Sequence, residues 1–304
     1  MKILIGCDVD PVLPPALSHP PRDDIWKCLD NLELLLDRTK GKLPPITWLI
    51  RSDESVRFST GDFASGYTTR RPLWQTLAAH GHELGWHMHL MSFDAHSGCF
   101  EFDPDPNWLA DACRALSAYY EVRATRTGWD YASSSLFRRL EALGILLDFS
   151  ALPGQLAWYS VGHHRLAVDW SRCPSDPYHP SPDDYQRPGR LNLLEIPITQ
   201  FRNSYLGIAK RLAMRLKNGS CSISGVQRRT KTLTDRWDAA PISENLVWAF
   251  YFHPEDLGGS GLENFLNNLE HLSSFSYAEF VTASGARQFL ARLAQTPSPS
   301  EVRG

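Results

Sequence analysis

Two aspartates and two histidines have the spacing from which a metal site can be built. Asp8 and Asp10 follow an apolar run at the N-terminus, and His87 and His89 end a second predicted strand. Strand side chains alternate between faces, so each pair shares one face of its strand. The carboxyl ends of parallel strands are the usual position of α/β active sites. An aspartate with two histidines leaves open positions on a divalent ion, which is the condition for activating water.

The elements that must position these residues alternate between strands and helices along the chain. Strands are predicted at 2–8, 46–50, 83–89, 123–126, 145–149, 193–198 and 246–252. Helices are predicted at 23–38, 73–79, 108–120, 134–143, 261–272 and 283–293. Repeated alternation with crossover connections indicates an α/β fold with parallel strands.

The length of 304 residues fits one large domain. We expect a barrel domain over 1–294, interrupted by long inserts at about 152–190 and 201–241, and a disordered tail at 295–304. The second insert is rich in lysine and arginine. A solvated charged face is the preferred interpretation of that segment, and a site for a phosphate-bearing substrate is the alternative.

Composition excludes several classes of protein. The formal net charge of -3 predicts no nucleic-acid partner, and no apolar run is long enough for stable membrane insertion. The six cysteines are scattered without a CxxC pair, so we expect free thiols. The start of the chain has no export signal, which predicts a cytoplasmic location.

Five short motifs carry a resemblance to a known family. They occur in the order Asp8-Val9-Asp10, Gly81-His82-Glu83-Leu84-Gly85-Trp86-His87-Met88-His89, Arg126-Thr127-Gly128-Trp129, Leu194-Glu195-Ile196-Pro197 and Phe252-His253-Pro254-Glu255-Asp256. Together they resemble the polysaccharide deacetylase family (NodB-like, carbohydrate esterase 4). The resemblance implies a distorted (β/α)7-type barrel and a divalent metal cofactor, with Zn²⁺ as the first choice.

The resemblance also implies roles for individual residues. Asp8 is similar to the family's general base, Asp10 and His87 to its metal ligands, and His253 to its general acid, with Arg126 orienting the base.

Two departures from the family pattern leave alternatives open. Val9 separates the two aspartates, which are adjacent in the family, so the roles of Asp8 and Asp10 can be exchanged. The family's second metal histidine corresponds to Met91, a poor ligand for such an ion. His89 is the expected substitute.

Further residues are candidates for substrate contact. Glu195 is either a substrate contact or a buried partner of Arg126, and Trp170 either stacks on a sugar or packs in the protein. His82 is expected to cap a turn rather than to bind metal. The complete set of candidate substrate contacts is Arg51, Asp53, Trp129, Asp148, Trp170 and Glu195.

The favoured hypothesis is a metal-dependent hydrolase that removes an N-acetyl or N-formyl group from an amino sugar, as a small molecule or linked to a carrier. A metal-independent hydrolase of ureides or cyclic imides is the first alternative, motivated by Met91. A barrel that only binds glycans is the second. The sequence leaves the oligomeric state open.

Overall fold

The computed structural model describes residues 1–13, 24–199 and 247–295. Its strands are β1 (Lys2–Val9), β2 (Thr47–Arg51), β3 (Glu83–Met88), β4 (Met91–Asp94), β5 (Cys99–Phe102), β6 (Ala124–Thr127), β7 (Leu147–Asp148), β8 (Leu156–Val161), β9 (His164–Asp169), β10 (Leu194–Glu195), β11 (Val247–Phe252) and β12 (Glu279–Val281). Its helices are α1 (Asp30–Thr39), α2 (Glu54–Thr60), α3 (Ser65–Thr68), α4 (Arg71–Ala79), α5 (Leu109–Ser117), α6 (Ser134–Ala142), α7 (Gly261–Ser273) and α8 (Ala283–Gln295).

Parallel strands curl into a distorted (β/α) barrel. Their order is β10, β7, β6, β3, β2, β1 and β11, and every neighbouring pair along this path is parallel. A parallel bridge between Ile198 and Ala249 brings the chain that follows β10 against β11. The short strand β12 pairs with the first residues of β1. The expected barrel fold is therefore confirmed.

The alternation of side chains along β1 explains how one strand serves two packing layers. Ile3 and Ile5 belong to the cluster that includes Leu32 and Leu35 of helix α1. Leu4 packs in the other cluster. Asp8 has the same parity as Leu4 and therefore shares its face, inside the barrel. The strand thus holds a carboxylate on the inner face while its other face anchors the surrounding helices.

Most of the elements predicted from the sequence are present. Helix α1 begins at Asp30 after a 3-10 turn at Lys27–Leu29, later than the expected start at residue 23. The expected tail began at 295, whereas Gln295 still belongs to helix α8. The antiparallel hairpins β4–β5 and β8–β9 were not predicted. The second of them lies within the first insert.

Some predictions fall on parts of the chain outside the described residues. These are the first residue of the helix predicted at 23–38, the basic insert at 201–241 and the tail from residue 296. Among the helices that are described, none combines the length and the apolar character needed to span a membrane.

His82 has a structural role, although it binds the chain before a neighbouring strand rather than capping a turn. Its Nδ1 accepts a hydrogen bond of 3.1 Å from the backbone N–H of Ile46, just before β2. Its ring also packs against Trp48. Burial and the nearby His80 lower the pKa of His82 to about 4. The fold therefore requires the neutral imidazole.

We expect His82 to make the folding stability depend on pH. The folded pKa lies below the unfolded value of about 6.5, so the stabilisation is complete above pH 6.5 and declines as the pH falls toward 4. In His82→Gln, which has no titrating ring, the free energy of unfolding should lose this component. The slope of the free energy of unfolding against pH should differ between wild type and His82→Gln by less than about 1.4 kcal/mol per pH unit.

Urea unfolding of both proteins between pH 7 and 4 measures this difference. His96→Gln, a change at an exposed histidine in the β4–β5 turn, is the matched control. A stability difference between wild type and His82→Gln that does not change with pH would contradict the assignment.

Candidate active site

The candidate site lies at the carboxyl ends of the parallel strands. The strand register places Arg51 of β2 beside His87 of β3, and His87 beside Arg126 of β6. Asp8 is near the end of β1, and His253 follows β11. Parallel strands thus bring residues from distant parts of the sequence to one rim, as the sequence analysis expects.

Asp10, His87 and His89 present ligand atoms that converge. One atom from each lies within 4.8 Å of the others. The Nε2 atoms of His87 and His89 are 3.1 Å apart, and Asp10 Oδ1 lies 3.6 Å and 3.5 Å from them. The structure therefore brings together the three residues that the sequence proposed as metal ligands.

The state of both imidazoles suits metal binding. His87 Nδ1 donates to the carbonyl oxygen of Arg126 at 2.7 Å, which leaves the lone pair of Nε2 facing His89 and Asp10. Burial lowers the pKa of His87 to about 4 and also lowers that of His89. Neutral imidazoles next to a carboxylate form a donor set that accepts a divalent ion, so the residues present fit the implied metal.

Arg51 and Asp53 hold two of the three candidate ligands in place through hydrogen bonds. Arg51 donates to Asp10 Oδ1 at 3.0 Å and to Asp53 Oδ2 at 2.6 Å. Asp53 accepts the backbone N–H of His89 at 3.1 Å and also caps the N-terminus of helix α2. Burial would raise the pKa of Asp10, but His87 and the guanidinium of Arg51 hold it well below its usual value. The ligand carboxylate is thereby kept ionised and oriented.

Asp8 forms a buried charge network with Arg126. The Arg126 guanidinium contacts Asp8 Oδ2 through one nitrogen and Asp130 Oδ1 through another. It also lies over the ring of Tyr251, 3.7 Å from its centroid. Asp8 Oδ1 is buried and has no hydrogen-bond partner among the described residues. A carboxylate oxygen that accepts no hydrogen bond from the described part of the chain is suited to accept a proton from a ligand.

His253 faces both aspartates. Its Nε2 lies 3.6 Å from Asp8 Oδ2 and 3.8 Å from Asp10 Oδ2. On the other side of the ring, Asp256 lies 3.4 Å from Nδ1 and accepts the backbone N–H of His253. Burial alone would lower the pKa of His253, but Asp256, Asp8 and Asp10 raise it to about 9. The imidazolium is thus the stable form at neutral pH.

The segment after β6 has an unusual backbone. Trp129 and Asp130 have φ angles of 56° and 57°, in the left-handed region that residues with a side chain rarely adopt. The Trp129 ring, which is partly exposed, packs edge to face on His89 with centroids 4.4 Å apart. A Cβ atom at Gly128 would overlap the His89 ring. This strained turn therefore shapes the space around His89 and aims Asp130 at Arg126.

Three of the six proposed substrate contacts are held by interactions within the protein. Trp170, Asp148 and Glu195 are 0% exposed, and each forms hydrogen bonds with neighbouring protein groups. Trp170 packs in the core and donates to the backbone of Asp130. Glu195 accepts the N–H of Ala151 and lies beside Asp148, and burial raises the pKa of both carboxyls. Glu195 forms no ion pair with Arg126 among those found in the described residues.

Arg51 and Asp53 are also buried, so they serve the ligand group rather than an open surface. Trp129 alone of the six candidate contacts is partly exposed.

Two residues that contact the site were not predicted from the sequence. Asp130 and Asp256 received no role, although each follows a predicted site residue within a quoted or adjacent motif. Spacing could have suggested Asp256, because it lies three residues after His253, where it caps the turn. The left-handed conformation that directs Asp130 leaves no comparable signal.

This chain is similar to known proteins in its fold. No family model matches the chain, and no curated protein matches it in sequence. Among solved structures, PuuE allantoinase aligns with 97% of this chain and 92% of its own, at 12% identity and a TM-score of 0.55. A probable polysaccharide deacetylase from Pseudomonas aeruginosa PAO1 aligns over the same fractions, at 11% identity and a TM-score of 0.53. The chain therefore has the barrel fold of polysaccharide deacetylases and allantoinase.

We expect Gly128→Ala to disturb the ligand group without unfolding the protein. The added methyl group displaces the His89 ring, so zinc affinity at this site should fall by about 10–100-fold. Calorimetric titration with Zn²⁺ measures the change, and His87→Ala identifies the heat that belongs to this site.

Gly285→Ala is the control. Its added Cβ would stand 3.3 Å from Val281 and would touch none of the proposed metal ligands. Unchanged zinc binding in Gly128→Ala would show that His89 is not a ligand in the position described.

Proposed function

We propose that this chain is a metal-dependent hydrolase that removes an N-acyl group, acetyl or formyl, from an amino sugar. The observation that carries the proposal is the convergence of Asp10, His87 and His89 beside Asp8, whose Oδ1 has no hydrogen bond from the described residues. His253 Nε2 lies 3.6 Å from Asp8 Oδ2. The barrel fold shared with a polysaccharide deacetylase is consistent with it.

Asp10, His87 and His89 would hold the divalent ion. When bound, such an ion polarises an acyl oxygen and makes a water molecule more acidic. Arg51 and Asp53 keep these ligands in place, because they fix Asp10 Oδ1 and the backbone of His89. The metal Zn²⁺ is proposed from the donor set of two imidazoles and a carboxylate.

Asp8 would act as the general base. Its Oδ2 is neutralised by Arg126, and Oδ1 is free to take a proton from the attacking water. Because Arg126 is itself held by Asp130 and by the ring of Tyr251, the carboxylate cannot rotate away from this position without breaking the pair. Arg126 is a positioning residue in this scheme.

His253 would act as the general acid. Its Nε2 carries the proton that the leaving amine requires, and it faces the same space as the two aspartates. Asp256 fixes the orientation of the ring through Nδ1 and the backbone. Base and acid are thus separate groups: a carboxylate paired with Arg126, and an imidazole that Asp256 orients.

The substrate is a further part of the proposal. Trp129 is the predicted contact that keeps partial exposure beside His89, so its ring is the candidate to pack on a sugar. A small or carrier-linked amino sugar remains the proposed substrate class. The absence of a nucleic-acid partner remains a prediction from the net charge.

We expect Asp8→Asn to lower kcat by about 10²–10⁴-fold while bound zinc is retained, because Asp8 serves as base rather than ligand. Asp10→Asn should lose both zinc and activity. Amine release from N-acetylated and N-formylated amino sugars, with metal analysis of the same samples, measures both properties.

Comparison of the two variants also tests the order of the aspartates. Loss of zinc in Asp8→Asn with retention in Asp10→Asn would exchange their roles. Full activity in Asp8→Asn would contradict the proposal.

A second candidate is a metal-independent hydrolase of a ureide or cyclic imide. The observation that favours it is the Arg51 guanidinium, which already supplies a positive charge 3.0 Å from Asp10 Oδ1. The similar fold of allantoinase is consistent with this reaction class.

Chelation separates the two candidates. For the metal-dependent reaction, dialysis against a chelator should abolish amine release, and added Zn²⁺ should restore it. Activity on a ureide that persists in metal-free enzyme, together with inactivity on N-acyl sugars, would support the second candidate and overturn the first.

A further inference from the structure

A second group of metal-ligating side chains lies where hairpins β4–β5 and β8–β9 meet. Cys99 and Glu101 belong to β5, and His163 belongs to the turn between β8 and β9. We call these residues the hairpin cluster. Each offers one ligand atom, and the three atoms lie within 4.8 Å of one another. None of them belongs to the candidate active site.

The distances within the hairpin cluster suit a shared ion. Cys99 Sγ lies 3.2 Å from Glu101 Oε1 and 3.7 Å from His163 Nδ1. His163 Nδ1 also contacts Glu101 Oε1. Sulfur, nitrogen and oxygen ligands of one tetrahedral zinc stand about 3.2–3.8 Å apart, given the usual bond lengths. Little movement of the exposed His163 ring is needed to reach that geometry.

The backbone supports this convergence. The N–H of His163 donates to Glu101 Oε2 at 2.8 Å, which ties the β8–β9 turn to β5. Gly162, at a φ of 56°, permits the approach, because a Cβ at that position would overlap the Glu101 carboxylate. The carboxylate is therefore held at the junction of the two hairpins with its second oxygen facing the thiol and the imidazole.

We propose that Cys99, Glu101 and His163 form a second metal site, for Zn²⁺ or a similar borderline ion rather than Mg²⁺ or Ca²⁺. A thiolate with an imidazole is a donor set that selects zinc, whereas hard ions require oxygen ligands. His164 Nε2 lies 3.7 Å from Glu101 Oε2 but does not belong to the group of converging ligand atoms. This site does not depend on the proposed function.

Occupation of the hairpin cluster would join two hairpins that are distant in sequence. Tyr159, on β8, interacts with Asp130, the second carboxylate on Arg126. The ion would thus hold the β8–β9 hairpin in place, and with it Tyr159, which interacts with the charge network around Asp8. Its role is structural, because the three ligands touch none of the reacting groups described above.

Cobalt titration of the full-length, reduced protein tests the site. A thiolate bound to Co²⁺ produces a near-ultraviolet charge-transfer band, which the histidines and aspartate of the candidate active site cannot produce. We expect Co²⁺ in excess of both sites to give this band in wild type, and one equivalent to give it in His87→Ala. Zn²⁺ should displace it, and excess Mg²⁺ should not.

Variants assign the ligands. Cys99→Ser should abolish the band, and His163→Ala should weaken Co²⁺ binding at least about 10-fold. The His163 side chain is 74% exposed, so its removal leaves the fold intact. His96→Ala, on the β4–β5 turn, is the matched control and should retain the band.

Two results would overturn the proposal. Absence of the band in wild type would show that Cys99, Glu101 and His163 form only a metal-free hydrogen-bonded cluster. A band that survives in Cys99→Ser would assign the thiolate to another cysteine.

Discussion

The need to compensate buried charge governs the arrangement of this barrel rim. Arg126 and Arg51 are both buried, and each is held between two carboxylates: Asp8 and Asp130 for the first, Asp10 and Asp53 for the second. An unpaired buried charge is strongly destabilising. Removal of either arginine would leave its two carboxylate partners buried without a compensating positive charge. The same pairs set which carboxylate oxygens are engaged and which remain open. Stability of the rim and its chemistry therefore depend on the same contacts.

The predictable part of the site depends on strand geometry. A spacing of two places His87 with His89, and Asp8 with Asp10, on one face of a strand, and parallel pairing brings the strand ends together. These rules are local or apply to the whole sheet, so they can be applied to sequence alone. They predicted the convergence of the ligand group and the main barrel elements, with boundaries that differ by a few residues.

The remaining part depends on tertiary context. An aromatic residue in an irregular segment, such as Trp170, has the same local sequence character whether it is exposed or fully buried, and only the packed structure distinguishes the two. Asp130 reaches Arg126 through a left-handed backbone that its residue type does not predict. Cys99 and His163 meet through two hairpins that come together only in the folded chain.

The missing side chain at Gly128 has a consequence for how this site can change in evolution. The imidazole of His89 occupies the volume in which a side chain at position 128 would begin. A side chain at 128 therefore leaves the ligand group undisturbed only where the residue at 89 is smaller, and the position of the His89 ring described above requires glycine at 128. The two positions should covary among descendants of this chain, so that glycine at 128 becomes a heritable marker of the paired histidines.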